Sequence, residues 1–116
     1  MPIITLTSDY GPERFYAGIL RGALAALSPD ATVVDLSHDV RKFSSVDAAL
    51  LLKSCVKHFP KGTVHIIAVM SEATVEHPHR IARIEDQYFV GADSGVFHLI
   101  FGKQPDAAYD LSNMMA

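Results

Sequence analysis

The chain has 116 residues, 49% hydrophobic and 20% charged, which is enough apolar material for one domain with its own core and too much for disorder. Ten basic and thirteen acidic residues leave a net charge of −3, and no stretch concentrates Lys and Arg, which argues against a nucleic-acid-binding surface. The longest apolar runs, near residues 48–52 and 66–70, are too short to cross a bilayer, and residues 1–7 lack the basic and long apolar regions of a signal peptide. The single cysteine, Cys55, leaves no internal disulfide. A cytoplasmic protein without membrane contact is the expectation.

Residues 3–7 are β-branched and end in a polar turn at Gly11 and Pro12, which predicts a strand. From Glu13 the apolar residues fall at Phe15/Tyr16, Ile19/Leu20, Ala23/Leu24 and Leu27, the spacing of one helix face, and Ser28-Pro29-Asp30 stops the helix. Residues 32–36 form the next predicted strand, followed by a polar loop through Lys42. Ser44 or Ser45 then caps a second helix with the stripe Ala48/Ala49, Leu52, Cys55/Val56 and Phe59. Residues 63–69 are nearly all apolar, as in a parallel strand buried on both faces. Residues 70–79 read as a polar loop, and residues 80–84 and 88–90 as paired strands joined through Glu85-Asp86-Gln87. A short helix over 94–101 and a strand over 108–111 complete the chain. The fold class is α/β: a three-layer-like sheet with parallel core strands and flanking helices, plus a C-terminal hairpin region. A sheet ending after 108–111 leaves an edge or face for something else to cover, which reads as a fragment or an oligomer-forming domain.

Ligands of open α/β sheets gather outside the carboxyl ends of the strands. Asp9 follows the first strand, Asp35 and His38 lie on and after the second, and Ser71 and Glu72 follow the third. A strand-end carboxylate suits ribose, because it can accept from both hydroxyls. The residue types alone favour the plainer role for Asp9, a turn residue satisfying nearby amides. They make Asp35 a strand residue bonded to a backbone amide and His38 a hydrogen-bonded structural histidine. Glu76-His77-Pro78-His79 matches no metal-site spacing, so no metal is expected. His58, His65 and His98 carry no constellation, and Cys55 sits on an apolar stripe as a small hydrophobe. Gly91 and Gly95 flank Ala92-Asp93-Ser94 without a phosphate-binding glycine pattern. Asp93 is either a tight-turn residue or a ligand neighbour.

Several segments in order carry a resemblance: Ile4-Thr5-Leu6-Thr7-Ser8-Asp9-Tyr10-Gly11, then Tyr16, Gly18 and Gly22, then Val33-Val34-Asp35-Leu36-Ser37-His38. Ala48-Ala49, Phe59-Pro60-Lys61-Gly62-Thr63-Val64-His65 and Tyr88-Phe89-Val90-Gly91-Ala92-Asp93-Ser94-Gly95-Val96 follow. Together they resemble the S-adenosylmethionine hydroxide adenosyltransferases, relatives of the fluorinating and chlorinating enzymes. The resemblance implies that residues 1–116 form one α/β domain like that family's N-terminal domain, with the C-terminal domain absent. It implies S-adenosylmethionine as substrate, hydrolysed to adenosine and methionine, with no other cofactor. It implies substrate binding by Asp9, Tyr10, Gly11, Asp93 and Ser94, the Asp9 carboxylate taking the ribose hydroxyls, and a homo-oligomer, the family's trimer.

Residues 70–80 depart from the family pattern. Where the family has an Asp-Pro-Gly-Val-Gly-Thr loop followed by paired arginines, this chain reads Met70-Ser71-Glu72-Ala73-Thr74-Val75-Glu76-His77-Pro78-His79-Arg80. No catalytic residue carries over, and Glu72 is the one weak candidate for the missing carboxylate. The family's catalytic histidine lies beyond residue 116. The sequence thus points to a homologue of S-adenosylmethionine hydrolases with impaired or lost catalysis, or to a non-catalytic nucleoside-binding or assembly module of the same fold.

Overall fold

The computed structural model describes residues 2–11, 15–41, 44–69, 79–92, 99–100, 102 and 105–110. Its first strand, β1 (Ile3–Ser8), is followed by helix α1 (Phe15–Leu27), strand β2 (Thr32–Ser37) and helix α2 (Ser45–Cys55), which runs into a single 3-10 turn, Val56–His58. Strand β3 (Val64–Ala68) comes next, then the hairpin of β4 (His79–Ile84) and β5 (Gln87–Ala92), and last β6 (Ala107–Asp110). The six strands make one sheet in the order β2-β1-β3-β5-β4-β6. β1 pairs in parallel with both β2 and β3, and β3 pairs in parallel with β5. β4 runs antiparallel to β5 and to β6. The expected α/β sheet with parallel core strands and a hairpin is the one observed.

The two helices cover opposite faces. Leu6 and Asp35 are register partners on neighbouring parallel strands, so their side chains share a face, and Arg21 of α1 reaches Asp35 on that face. The other face carries Ile67, Ala82, Ile84 and Phe89, which pack with Ala48, Ala49, Leu52 and Val56 of the α2 segment. Ala48 and Ala49 are both buried in that packing. Leu52, with no exposed surface, contributes roughly 2–3 kcal/mol through burial. Ser44 is the helix cap, its hydroxyl accepting from the Asp47 amide 3.1 Å away. At Gly91 only glycine fits, since an added Cβ would sit 2.7 Å from the Ile67 carbonyl oxygen on β3.

Several boundaries differ from the sequence expectation. The apolar stripe of α1 is divided: Ala17 is buried and Leu20 and Leu24 half-buried, whereas Phe15, Ile19 and Leu27 are 63%, 64% and 83% exposed. Gln87 belongs to β5 rather than to the turn, because its side chain is needed inside. Of the helix expected over 94–101, residues 99–100 are described and are helical; Asp93, Ser94 and residues 95–98 lie outside the described residues, as do Glu72 and the rest of 70–78.

His65 is not a bystander in an apolar strand. It is fully buried on β3, with Nδ1 2.6 Å from the Thr5 hydroxyl of β1 and Nε2 2.5 Å from Gln87 Oε1 of β5. Gln87 in turn donates from Nε2 to the carbonyls of Val56 and Phe59, at 3.0 and 3.2 Å. These bonds fix the protons. The Gln87 amide nitrogen faces carbonyls, so its oxygen faces His65; Nε2 therefore carries the hydrogen, and Nδ1 accepts from Thr5. The glutamine thus ties β5 to carbonyls at the end of the α2 segment; the Val56 carbonyl accepts from the Phe59 amide as well, at 3.1 Å. Phe89 stacks on the imidazole at 4.9 Å and Phe59 meets it edge-on. Burial pushes the His65 pKa down, partly countered by the Gln87 hydrogen bond. The unfolded chain therefore takes up this proton more readily than the folded one. Stability from His65 is complete above about 6.5, its unfolded pKa, and falls as pH drops through the lowered folded value. Urea midpoints should decrease from pH 7.5 to pH 5.5, with a shallower decrease in a His65→Gln variant; equal slopes for the two proteins would contradict this assignment.

The β4–β5 turn stores strain. Glu85 and Asp86 occupy left-handed backbone, φ 51° and 65°, between the paired residues Ile84 and Gln87. That is the two-residue hairpin turn which glycine and asparagine fill at least cost. It is held from outside: the Asp86 carbonyl accepts from the Gly62 amide at 2.8 Å, and Asp106 Oδ2 accepts from the Glu85 amide at 3.0 Å. The Lys61–Asp86 pair, 3.7 Å apart and well exposed, adds little. Asp86→Gly should therefore raise stability by up to about 1 kcal/mol, read as a higher urea midpoint with unchanged slope. A lower midpoint would show that the aspartate side chain matters more than the backbone strain.

Candidate functional site

The strand order supplies the geometry. From β1 the chain moves to β2 on one side and then to β3 on the other, so the order reverses between β1 and β3. At such a reversal the connections leave in opposite directions, and a crevice opens outside the carboxyl ends of the two strands. Ser8 ends β1 there, and Asp9, Tyr10 and Gly11 follow it. Val69 ends the described part of the chain after β3.

A β-bulge shapes the β1–β2 end. Leu6 pairs with Asp35 but Thr7 pairs with Ser37, leaving one extra residue on β2. The displaced backbone carries His38 across the end of β1. Its carbonyl accepts from the Gly11 amide at 2.8 Å, and its ring nitrogen Nδ1 lies 2.5 Å from the Ser8 hydroxyl. Nε2 lies 2.8 Å from Asp35 Oδ1, and Asp35 Oδ2 accepts from Arg21 Nη1 at 2.9 Å. The carboxylate needs a donor, so Nε2 carries a hydrogen. In the neutral imidazole Nδ1 then accepts from Ser8, whose oxygen accepts from the Tyr10 amide at 3.4 Å. The rings of Tyr10 and His38 are parallel with centroids 6.3 Å apart. Burial, and secondarily the Asp9 carboxylate, raise the Tyr10 pKa.

These contacts revise one expectation and agree with another. Asp35 bonds Arg21 and His38 rather than a backbone amide, because α1 places Arg21 over the end of β2. His38 is hydrogen-bonded as expected, at both ring nitrogens. In the turn that carries Asp9, the Tyr10 amide goes to Ser8 and the Gly11 amide to His38. Gly11 itself sits at φ 65°, where a side chain is strained. Asp9 and Tyr10 are half-buried at the mouth of the turn.

A Ser-His-Asp series invites comparison with nucleophilic triads, but the geometry excludes one. Ser8 has no exposed surface, and its oxygen is already engaged by a backbone amide. Beside the series, a cleft of about 380 Å³ is lined by Ala17, Gly18, Arg21, Asp35, His38 and Asp39. A second cleft, about 260 Å³, lies at the start of β5 among Lys53, Val56, Lys57 and Gln87, far along the strands from the reversal. Among the described residues no three His, Cys, Asp or Glu side chains gather to hold a metal ion, and no helix is long and apolar enough to cross a membrane. Glu76 and His77 lie outside the described residues, as does the side chain of His79.

Residue-type reasoning passed over Arg21 and the join between Ser8 and His38. A signal for the first exists: Arg21 is the one charged residue in the thirteen of α1, which marks it for a carboxylate partner. The second depends on the bulge, which no local pattern announces.

Known proteins resemble this chain along most of its length. Residues 4–116 match the SAM hydroxide adenosyltransferase N-terminal domain. The (R)-S-adenosyl-L-methionine hydrolase of Methanocaldococcus jannaschii is 30% identical over 89% of this chain and 41% of its own length; that of Thermus thermophilus is 30% identical over 84% and 38%. The crystal structure of an uncharacterized conserved protein from Thermotoga maritima superposes with a TM-score of 0.83 at 25% identity, over 94% of this chain and 42% of that one. The crystal structure of a conserved hypothetical protein from Thermus thermophilus gives 0.78 at 27%, over 95% and 46%. The chain thus spans about two fifths of the length of the hydrolases it matches. It belongs to the family of SAM hydroxide adenosyltransferase N-terminal domains.

Proposed function

We propose that this domain binds the adenosine part of S-adenosylmethionine outside the carboxyl ends of β1 and β3, with the Asp9 carboxylate accepting from the ribose hydroxyls. Tyr10 and Gly11 line the same turn, and the family resemblance adds Asp93 and Ser94, which follow β5 in the sequence, to the proposed binding residues. The observation that carries this reading is the position of Asp9. It follows β1 at the reversal of order, in a turn held by the Tyr10 amide on Ser8 and the Gly11 amide on His38. The curated relatives are named for hydrolysis of (R)-S-adenosyl-L-methionine, which supports the same substrate here.

In that reaction a water oxygen bonds to the ribose C5′ as the C5′–S bond breaks. The sulfur keeps the electron pair, methionine leaves as a neutral thioether, and one proton is released. Holding the water in line is the main help a protein can give. Residues 70–80 lack the family's aspartate and glycines, so hydrolysis by this chain is proposed to be weak or lost, with Glu72 as the residual candidate for orienting water. That altered segment favours a second reading, a nucleoside-binding or assembly module without turnover. The exposed Phe15, Ile19 and Leu27 on α1 support assembly into an oligomer, proposed to be the family's trimer. The single free cysteine, Cys55, fits a cytoplasmic setting.

A carboxylate accepting from two hydroxyls makes two charge-assisted bonds of about 1.5–3 kcal/mol each. Asp9→Ala should therefore weaken adenosine binding at least about a hundredfold. The melting temperature should stay nearly unchanged, since the Tyr10 and Gly11 amides keep Ser8 and His38 as partners; unaltered binding, or a large loss of stability, would refute the ribose role. Incubation with S-adenosylmethionine, followed by chromatography for adenosine, separates the two readings. Adenosine that disappears in Glu72→Ala supports residual catalysis. Binding without product supports the module.

A further inference from the structure

We infer that His38 is a positioning residue for the Asp9 site, acting through Ser8, and that Asp35 with Arg21 fixes its ring. The inference rests on the nucleoside reading above and adds to it the device that holds the binding turn in place.

The argument begins at the bulge. Without the extra residue on β2, the β1–β2 ladder would continue in register and His38 would project beyond the strand ends. With it, the residue crosses over β1 and makes three contacts with the turn: its carbonyl to the Gly11 amide, its Nδ1 to Ser8, and its ring face parallel to Tyr10. Asp9 lies between the first two attachment points, Ser8 and Gly11. A half-buried carboxylate clamped on both sides in the chain has few directions to point.

The ring itself has to be oriented. An imidazole with one bonded nitrogen can turn over, and either nitrogen could then face Ser8. The Asp35 carboxylate removes that freedom by taking the Nε2 hydrogen, which leaves Nδ1 to accept from the serine. Arg21 holds the second carboxylate oxygen, so Asp35 is tied to α1 as well as to the ring. The series Arg21–Asp35–His38–Ser8 thus connects a helix, two strands and the binding turn. Its outer members are about 40% exposed and its inner end is fully buried. The contribution per bond should therefore grow from Arg21 inward, since solvent screens the exposed pair.

Binding and folding can be read separately in the full chain. Adenosine is titrated calorimetrically into wild type and the His38→Ala, His38→Asn and His38→Gln variants, with melting temperatures measured in parallel. His38→Ala should raise Kd for adenosine at least about tenfold, equivalent to the loss of one net hydrogen bond. Asparagine carries its polar atoms near the position of Nδ1 and should retain more affinity than glutamine, whose amide reaches toward Asp35 instead. Arg21→Met should change Kd less than Asp35→Ala. A purely structural role would lower the melting temperature in all three His38 variants without separating asparagine from glutamine in Kd. If Asp9→Ala abolishes binding while every His38 variant stays within twofold of wild type, the inference falls and the nucleoside reading survives. If wild type binds no adenosine, the nucleoside reading falls, and the turn itself decides. Hydrogen exchange of the Tyr10 amide should then accelerate at least about tenfold in His38→Asn or His38→Ala as its Ser8 acceptor loosens, and unchanged exchange overturns the inference.

Discussion

The structure depends on one constraint: β1 has parallel partners on both sides. A strand in that position is removed from water along its length, and residues 4–8 are all buried. Yet β1 contains Thr5, Thr7 and Ser8, whose hydroxyls lose water in the same step. Two of the three recover a partner from a histidine, on opposite faces of the sheet. Thr5 meets His65 on the α2 side, and Ser8 meets His38 at the carboxyl end, toward α1. A buried hydroxyl left alone would cost roughly 1–3 kcal/mol, so each imidazole does for β1 what water does for an exposed strand.

The two histidines differ in what they are tied to, and that difference separates scaffold from site. His65 is closed in by Gln87, Phe59 and Phe89, and its network ends on the carbonyls after α2. It joins three parallel strands to the end of a helix and opens to no cleft. His38 sits where the sheet's order reverses, beside a cleft and against the turn that carries Asp9. The placement of β2 on one side of β1 and β3 on the other also reverses the strand order there. The crevice is a consequence of topology, and the residues at its mouth give it chemistry. Membership of the SAM hydroxide adenosyltransferase N-terminal domain family is the reason a nucleoside is proposed there.

Much of this was legible in the residues. The helix stripe from Phe15 to Leu27, the buried run around Ile66 and the turn after Ser8 are local patterns, and they located α1, β3 and Asp9. The sheet's hairpin was legible too, although the turn was placed one residue too long because Gln87 resembles a surface residue. What stayed hidden is non-local. Whether Asp35 faces a backbone amide or Arg21 depends on how α1 lies over β2, and periodicity measures neither helix rotation nor distance. Likewise, Ile19 and Leu27 belong to the apolar stripe by spacing, but the helix buries only the Ala17–Leu20–Leu24 line against the sheet. The one-residue bulge that brings His38 to Ser8 leaves no trace in composition.

The central claim is that the ligand site lies at the carboxyl end of β1, and amide chemical-shift mapping tests it most directly. Adenosine titrated into isotopically labelled protein should shift the amides of Asp9, Tyr10, Gly11 and His38 together, along one saturable curve. Shifts confined to Lys53, Lys57 and Ile100 around the other cleft, or none at all up to saturating nucleoside, would contradict the account.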